Sequence, residues 1–182
     1  DGSRSRKLIY LDNNATTPVD PRVLDAMSRV PRHLFVPDAV WADAYGDFPL
    51  PIGDGQTISQ PYIVALMTDL LDPKPGDVVL EIGTGSGYQA AVLAELVAKV
   101  HTIEIVEPVG KRAASDLEAL GYRNVVTRVG DGYSGWPEAA PFDTIILAAA
   151  AATVPQTLLA QLAPGGRLAM PLGTAEQVIS LV

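Results

Sequence analysis

The chain has 182 residues, no cysteine and a formal net charge of −8 at pH 7. Its length and its hydrophobic fraction of 48% are typical of one globular domain with a buried core. The acidic balance argues against nucleic acid or anionic membranes as partners, because neither is attracted to a negative surface. The lack of cysteine excludes disulfides, thiolate metal sites and cysteine nucleophiles.

The amino-terminal segment combines a polar leader, residues 1–6, with the short apolar run Leu8–Leu11 and a turn-rich cluster that ends at Pro18. Residues 8–27 resemble the amino-terminal signature of cysteine desulfurases, which use pyridoxal phosphate. None of the four lysines follows a histidine, so we expect no Schiff base with that cofactor. We expect the apolar run to act structurally, by packing on the domain or by pairing with an exposed strand edge.

A helix is predicted from Asp20, a candidate N-cap, to the stop at Pro31, and a long proline-rich connection follows over residues 31–62. Its aromatic and apolar side chains argue against disorder. Within it, Ser59 has two open interpretations: it caps the next helix, Tyr62 to Leu71, or it lies at a reacting centre.

A strand and a tight turn are predicted where the apolar run from Val78 carries Glu81 and is followed by Gly83, Gly85 and Gly87. The next helix is predicted over 89–100. This spacing differs from the G-x-G-x-x-G of pyrophosphate loops, and the acid disfavours a pyrophosphate. A carboxylate near the mouth suits S-adenosylmethionine, which carries a ribose, an ammonium and a sulfonium. The alternative is an ordinary glycine-rich turn between strand and helix.

The second strand of the unit, 101–105, ends near Glu104, which is placed either to accept two ribose hydroxyls or to be a surface charge. A helix over 109–120 and a strand over 124–129 follow. The turn around Asp131 either receives the adenine amine or is an ordinary Asp-Gly turn.

The remaining predicted elements are a strand over 142–148, which the alanine run 148–152 continues as buried strand, a helix over 154–162, and strands over 166–171 and from 177. The alternation predicts an α/β fold with a mostly parallel sheet and helices on both faces. In such sheets ligands bind at the carboxyl ends of the strands, where Glu81, Gly83, Glu104 and Asp131 converge.

From about residue 20 the chain resembles the protein-L-isoaspartate O-methyltransferase family. The stretches that carry the resemblance are 30–32, 35–37, Gly55 to Pro61 (G-Q-T-I-S-Q-P), Glu81 to Tyr88 (E-I-G-T-G-S-G-Y), 130–132 and 165–167. The resemblance implies the Rossmann-like fold of class I S-adenosylmethionine-dependent methyltransferases, truncated at the carboxyl end. It divides the chain into an atypical segment, 1–19, and a methyltransferase domain, 20–182, and a chimeric origin follows as a hypothesis.

The resemblance also implies a site. Ser59 is the implied catalytic residue and no metal is expected. The implied S-adenosylmethionine contacts are Thr57, Ile58, Gln60, Glu81, Gly83, Thr84, Gly85, Gly87, Glu104, Ile105, Gly130, Asp131 and Gly132.

The implied reaction is methyl transfer to the carboxylate of L-isoaspartyl residues in damaged proteins or peptides, whose ester can cyclise to a succinimide. Two alternatives stay open: methylation of another carboxylate or small molecule, and an inactive cofactor-binding fragment. No apolar run approaches the roughly 20 residues of a membrane span, and the amino terminus has no secretory apolar core, so we expect a soluble protein. The lack of cysteine permits a reducing compartment, and we expect the protein to be cytoplasmic. An unpaired strand edge near Val182 would allow self-association.

Overall fold

The computed structural model describes residues 19–173 and 177–182, together with the backbone of residues 7–9. Tyr10 to Pro18 of the desulfurase-like segment therefore lie outside the described residues. In chain order the elements are β1 (Lys7–Ile9), α1 (Pro21–Arg29), β2 (Leu50–Gly53), β3 (Gln56–Ile58), α2 (Pro61–Leu71), β4 (Val78–Ile82), α3 (Tyr88–Ala94), β5 (Lys99–Glu104), α4 (Glu107–Ala119), β6 (Val125–Val129), β7 (Phe142–Leu147), α5 (Gln156–Leu159), β8 (Leu162–Leu172) and β9 (Val178–Leu181).

Seven strands form one sheet in the order β1-β9-β8-β7-β4-β5-β6, and β2 pairs with β3 in a separate hairpin. The five strands from β8 to β6 run parallel, whereas β9 and β1 are antiparallel additions at one edge. The chain reverses its direction of travel across the sheet between β4 and β7. Such a switch point opens a crevice at the carboxyl ends of the strands.

Both faces of the sheet are covered, as the sequence predicts. Successive side chains of a strand point to opposite faces, so Val79 and Leu80 belong to different hydrophobic clusters. The cluster around Val79 includes buried side chains of α1, α2, α3 and α4, whereas the cluster around Leu80 includes Leu158 of α5. Burial on both faces explains why these strands are almost continuously apolar.

Two predicted helices are longer than the observed ones. Helix α3 ends at Ala94 because Lys99 already pairs with Val78 in the parallel ladder, and the Ala98 and Lys99 amides donate to the Asp77 carbonyl. Helix α5 has only four residues because β8 begins at Leu162.

The predicted unpaired edge near Val182 is wrong. Strand β9 pairs with β8 on one side and with β1 on the other, and Val182 exchanges two backbone hydrogen bonds with Leu168. The expected pairing of the amino-terminal run with a strand edge is confirmed for Lys7–Ile9, which lies beside Ile179 to Leu181 of the same chain.

The predicted continuation of the buried strand through the alanine run is also wrong. Strand β7 ends at Leu147, which pairs with Ile82, and Ala148 to Ala150 are exposed. The ladder stops there because β4 has reached the glycine loop at Gly83.

The connection between α1 and α2 is ordered. It contains two 3-10 helices, Arg32–Phe35 and Asp38–Asp43, followed by the β2–β3 hairpin. Across the described ranges, no helix is long and apolar enough to cross a membrane. Nor do these ranges hold a group of three or more His, Cys, Asp or Glu side chains that could bind a metal ion.

Candidate functional site

A cavity of about 290 Å³ lies at the switch point, beyond the carboxyl ends of β4, β5 and β7. Its size is near the lower end of small-molecule pockets. The glycine loop that follows β4 forms one part of its wall, and the segment from Gln56 to Ser59 forms another. The site therefore combines the two stretches of sequence that carry the strongest resemblance.

Close packing shapes the floor of the cavity beside Asp131. A β-carbon added to Gly132 would lie 2.4 Å from Cγ2 of Ile82, so only glycine fits there unless the Ile82 side chain moves. Asp131 then caps the short 3-10 helix that follows, because its Oδ1 accepts the Tyr133 amide at 2.9 Å. Asp131 and Tyr133 are both exposed at the rim of the cavity.

Glu104 lines the cavity at the end of β5, and its carboxylate fastens two backbone turns. Oε2 accepts the Gly85 amide at 2.8 Å and Oε1 accepts the Val106 amide at 2.9 Å. The side chain is only 5% exposed. The alternative interpretation of Glu104 as a surface charge is therefore wrong. Its carboxylate is a buried acceptor that connects the glycine loop to the start of the next helix.

Glu81 lies beneath the glycine loop, with no exposed surface, and does not line the cavity. The prediction of a carboxylate near the mouth is therefore wrong for this residue. The Thr102 hydroxyl donates to Oε2 of Glu81 at 2.5 Å and lies 2.6 Å from the hydroxyl of Thr84, which does line the cavity. A hydroxyl pair thus connects the buried acid to the loop.

Burial, assisted by the nearby charge of Glu104, raises the pKa of Glu81 to about 8, although the hydrogen bond from Thr102 acts against both effects. The second oxygen, Oε1, has no hydrogen-bond partner among the described residues. Ionisation would leave a negative charge there without compensation, so the acid is mainly protonated at neutral pH.

Glu81→Gln should remove a pH-dependent part of the stability. The folded protein holds this proton up to about pH 8, whereas the unfolded chain releases it near its ordinary value of 4.5. The stabilisation is therefore complete below pH 4.5 and is lost as the pH rises through 8. Between pH 5 and pH 8.5 we expect the free energy of unfolding of the variant to rise, relative to that of the wild type, by roughly 3 to 5 kcal/mol. Urea unfolding at several pH values measures this difference, and a constant difference would contradict the protonated acid.

Not all of the predicted cofactor residues reach the cavity. Nine of them line it together with Ser59: Thr57, Ile58, Gly83, Thr84, Gly85, Glu104, Ile105, Asp131 and Gly132. Gln60, Glu81, Gly87 and Gly130 do not line it. Gln60 instead donates to Oδ2 of Asp47 at 3.0 Å, Gly87 precedes α3, and the Gly130 amide bonds to the Glu104 carbonyl.

The interpretation of Ser59 as a helix cap is wrong. Helix α2 has Gln60 at its N-cap position, and the Tyr62 amide is accepted by Oδ1 of Asp47 at 2.9 Å. The hydroxyl of Ser59 forms no hydrogen bond with any residue in the described part of the chain. Ser59 lines the cavity, and its place at a reacting centre stays a prediction.

Sequence analysis missed several lining residues. Tyr88 and Gln89 follow the glycine loop directly, and Ala148 to Ala151 follow β7. The switch-point rule could have found the alanines, because they continue from the carboxyl end of the strand beside β4.

Comparisons with known proteins agree on one family. Its sequence model, described as Protein-L-isoaspartate(D-aspartate) O-methyltransferase, matches residues 3–182. The chain is 63% identical over 155 residues to Protein-L-isoaspartate O-methyltransferase 1 of Cupriavidus necator, which aligns 85% of this chain with 60% of that relative. For the enzyme of the same name from Nitrosospira multiformis the identity is 60% over 168 residues, or 92% of this chain and 70% of the relative. The chain thus spans less than two thirds of the first relative's length.

Two solved structures are similar in fold. A protein-L-isoaspartate O-methyltransferase superposes with a TM-score of 0.80 at 34% identity and covers 85% of this chain and 51% of its own. A beta-aspartate methyltransferase from Plasmodium falciparum, in complex with S-adenosyl-L-homocysteine, superposes with a TM-score of 0.77 at 26% identity, covering 89% and 81%. The predicted Rossmann-like fold of class I S-adenosylmethionine-dependent methyltransferases is confirmed.

Proposed function

Because the chain belongs to the protein-L-isoaspartate(D-aspartate) O-methyltransferase family, we propose that it methylates the carboxylate of L-isoaspartyl residues in damaged proteins or peptides. One observation carries the proposal. Ser59 and the glycine loop, which come from distant parts of the sequence, line one cavity at the switch point of the sheet.

We propose that this cavity holds S-adenosylmethionine, which supplies an electrophilic methyl group when bound. The residues present fit such a ligand. Glu104 offers a fixed carboxylate to ribose hydroxyls, and Ile105 and Tyr133 offer exposed apolar surface to a flat base. The contacting residues are the nine predicted ones that line the cavity. Glu81, Gly87, Gly130 and Gln60 do not line the cavity and are not assigned to the ligand.

The chain itself has to align the acceptor and keep water out. A carboxylate is already ionised near neutral pH, so the acceptor needs no strong base. Alignment of the acceptor with the methyl group contributes most of the rate in such a case. We assign this role to the Ser59 hydroxyl, which is free to donate a hydrogen bond to the acceptor carboxylate.

A methyl-transfer assay with paired peptides tests the proposal. Two peptides of one sequence, one with an L-isoaspartyl and one with an L-aspartyl residue, are incubated with labelled S-adenosylmethionine. We expect transfer to the isoaspartyl peptide alone. Transfer to neither peptide, with calorimetric binding of S-adenosylhomocysteine intact, would contradict the proposed acceptor and favour another acceptor or an inactive cofactor-binding fragment, and loss of both would contradict the cofactor assignment as well.

Ser59→Ala should lower kcat/KM for the isoaspartyl peptide by roughly tenfold to a hundredfold, the scale of a lost hydrogen bond to a charged group. The affinity for S-adenosylhomocysteine should change little, because the hydroxyl is assigned to the acceptor. Ser28→Ala is a matched control, since its exposed hydroxyl bonds only to the Asp25 carbonyl on α1. Equal loss of binding and transfer would contradict the assignment.

The remaining assignments are also proposals. We propose a domain over 20–182 preceded by an atypical segment, 1–19, whose role is structural and not that of a pyridoxal phosphate enzyme; the pairing of Lys7–Ile9 with β9 supports the structural role. The family match begins at residue 3, so it spans the junction of the hypothetical chimera.

A reducing cytoplasm suits a chain without cysteine. Self-association would use an edge of the sheet, β1 or β6.

A further inference from the structure

Arg32 is a charged residue buried behind the Ser59 wall of the cavity. Only 1% of its surface is exposed. Its Nε donates to the Ala44 carbonyl at 2.7 Å, and its Nη2 donates to the Ser59 carbonyl at 2.8 Å. One guanidinium therefore joins the end of the second 3-10 helix to the residue that we assign to the acceptor.

The same group also contacts a residue near the glycine loop. The guanidinium carbon lies 4.9 Å from the ring centroid of Tyr88, which is the first residue of α3 and one of the residues that line the cavity. Phe35 also packs against the Tyr88 ring in a T-shaped contact, at 5.6 Å between centroids. Arg32 thus contacts both the Ser59 segment and the start of the helix that follows the glycine loop.

Asp47 holds the Ser59 segment from its other end. Its carboxylate accepts the side-chain amide of Gln60 and the backbone amide of Tyr62. The Ser59 hydroxyl, in contrast, is left without a partner in the described part of the chain. The main chain around Ser59 is therefore fastened at both ends while its reactive group stays free.

Burial of the Arg32 guanidinium costs desolvation free energy, which an uncharged side chain that only fills space would not cost. Among the described residues no carboxylate forms an ion pair with this guanidinium, and its Nη1 is buried without a hydrogen-bond partner. Burial lowers the pKa of Arg32, while Tyr88 and Asp47 act against that shift. An apolar side chain of similar volume is often as stabilising as an incompletely paired buried charge. This cost suggests a role beyond packing.

We propose that Arg32 is a positioning residue, which sets the place of the Ser59 hydroxyl relative to the bound methyl donor by holding the Ser59 carbonyl and the Tyr88 ring at once. The inference rests on the proposed function. Arginine suits the task because Nε and Nη2 lie on one edge of a rigid plane and can reach two carbonyls, while the face stacks on an aromatic ring. Lysine offers a single flexible nitrogen and no such face.

The test compares Arg32→Lys and Arg32→Met with the control Arg167→Met. Arg167 also donates to a backbone carbonyl, that of Leu71, but neither Leu71 nor Asp72, the ion-pair partner of Arg167, lines the cavity. In both Arg32 variants we expect kcat for the isoaspartyl peptide to fall about tenfold or more, with the KM for peptide and the affinity for S-adenosylhomocysteine within threefold of wild type. The control should keep kcat. A residue that only fills the core would be replaced better by methionine and would not lower kcat separately from ligand binding.

Hydrogen exchange provides a readout that does not depend on turnover. In Arg32→Lys we expect faster exchange of the backbone amides in residues 44–48 and 58–64, and unchanged exchange in 83–87. Unchanged exchange at 44–48 and 58–64 would overturn the inference. So would wild-type kcat in Arg32→Lys. A wild-type protein without methyl transfer would instead overturn the proposed function, and the exchange result would still decide whether Arg32 holds the Ser59 segment.

Discussion

Glu104→Gln should weaken the binding of S-adenosylhomocysteine by roughly tenfold to a hundredfold, or about 1 to 3 kcal/mol. Each oxygen of the Glu104 carboxylate accepts one backbone amide, from Gly85 and from Val106. A glutamine has only one acceptor oxygen, so its amino group would face a backbone N–H and displace either the glycine loop or the start of α4. The charged acceptor proposed for the ribose would be lost as well. Calorimetric titration measures the affinity.

Glu107→Gln is the matched control. Glu107 carries the same functional group three residues further on, but it is exposed and pairs only with Lys111 at 2.6 Å on the surface of α4. Exposed pairs of this kind contribute little, so the control should bind S-adenosylhomocysteine as the wild type does. Unchanged affinity in a folded Glu104→Gln variant would show that the ribose assignment is wrong.

Gly87→Ala should destabilise the protein by roughly 2 to 4 kcal/mol, from backbone strain together with overpacking. Gly87 has a φ of +89°, and an added β-carbon would lie 3.2 Å from the buried side chain of Leu117 on α4. The backbone of α3 would have to move away from α4 or Leu117 would have to leave its place. Urea unfolding without ligand measures the loss.

Gly85→Ala separates the two causes. Gly85 also has a positive φ, of +54°, but no atom lies within 4 Å of its added β-carbon. Gly85→Ala should therefore lower the free energy of unfolding by the backbone strain alone, about 1 to 2 kcal/mol. Equal losses in the two variants would mean that the contact with Leu117 is unimportant.

The sequence predicts where the parallel strands and the glycine loop lie, because apolar runs and glycine spacing depend on neighbours along the chain. It does not predict how deeply a side chain at a strand end is buried. Glu81 and Glu104 look alike as acids near strand ends, yet one lies beneath the loop and the other lines the cavity. The difference follows from the register of β4 and β5, which places Glu81 beside Thr102, and a single sequence does not fix that register.

Helix ends and support residues depend on tertiary contacts for the same reason. Helix α3 is ended by the pairing of Lys99 with Val78, not by a stop signal of its own. Arg32 looks like an ordinary polar residue in a long connection. Its partners at Ala44 and Ser59 are 12 and 27 residues away along the chain, and its ring contact is farther still.

The switch point also has a consequence for the order of folding. Contacts between β4 and β5 join residues about 21 positions apart, as from Glu81 to Thr102, whereas contacts between β4 and β7 join residues about 65 apart, as from Val78 to Asp143. Closing the longer loop costs about 1 kcal/mol more chain entropy. The pairing of β4 with β7 therefore costs more chain entropy than the pairing of β4 with β5. The cavity lies at the boundary between β4 and β7. A ligand that contacts both sides of this boundary opposes the separation of the two halves and slows the unfolding of the whole sheet.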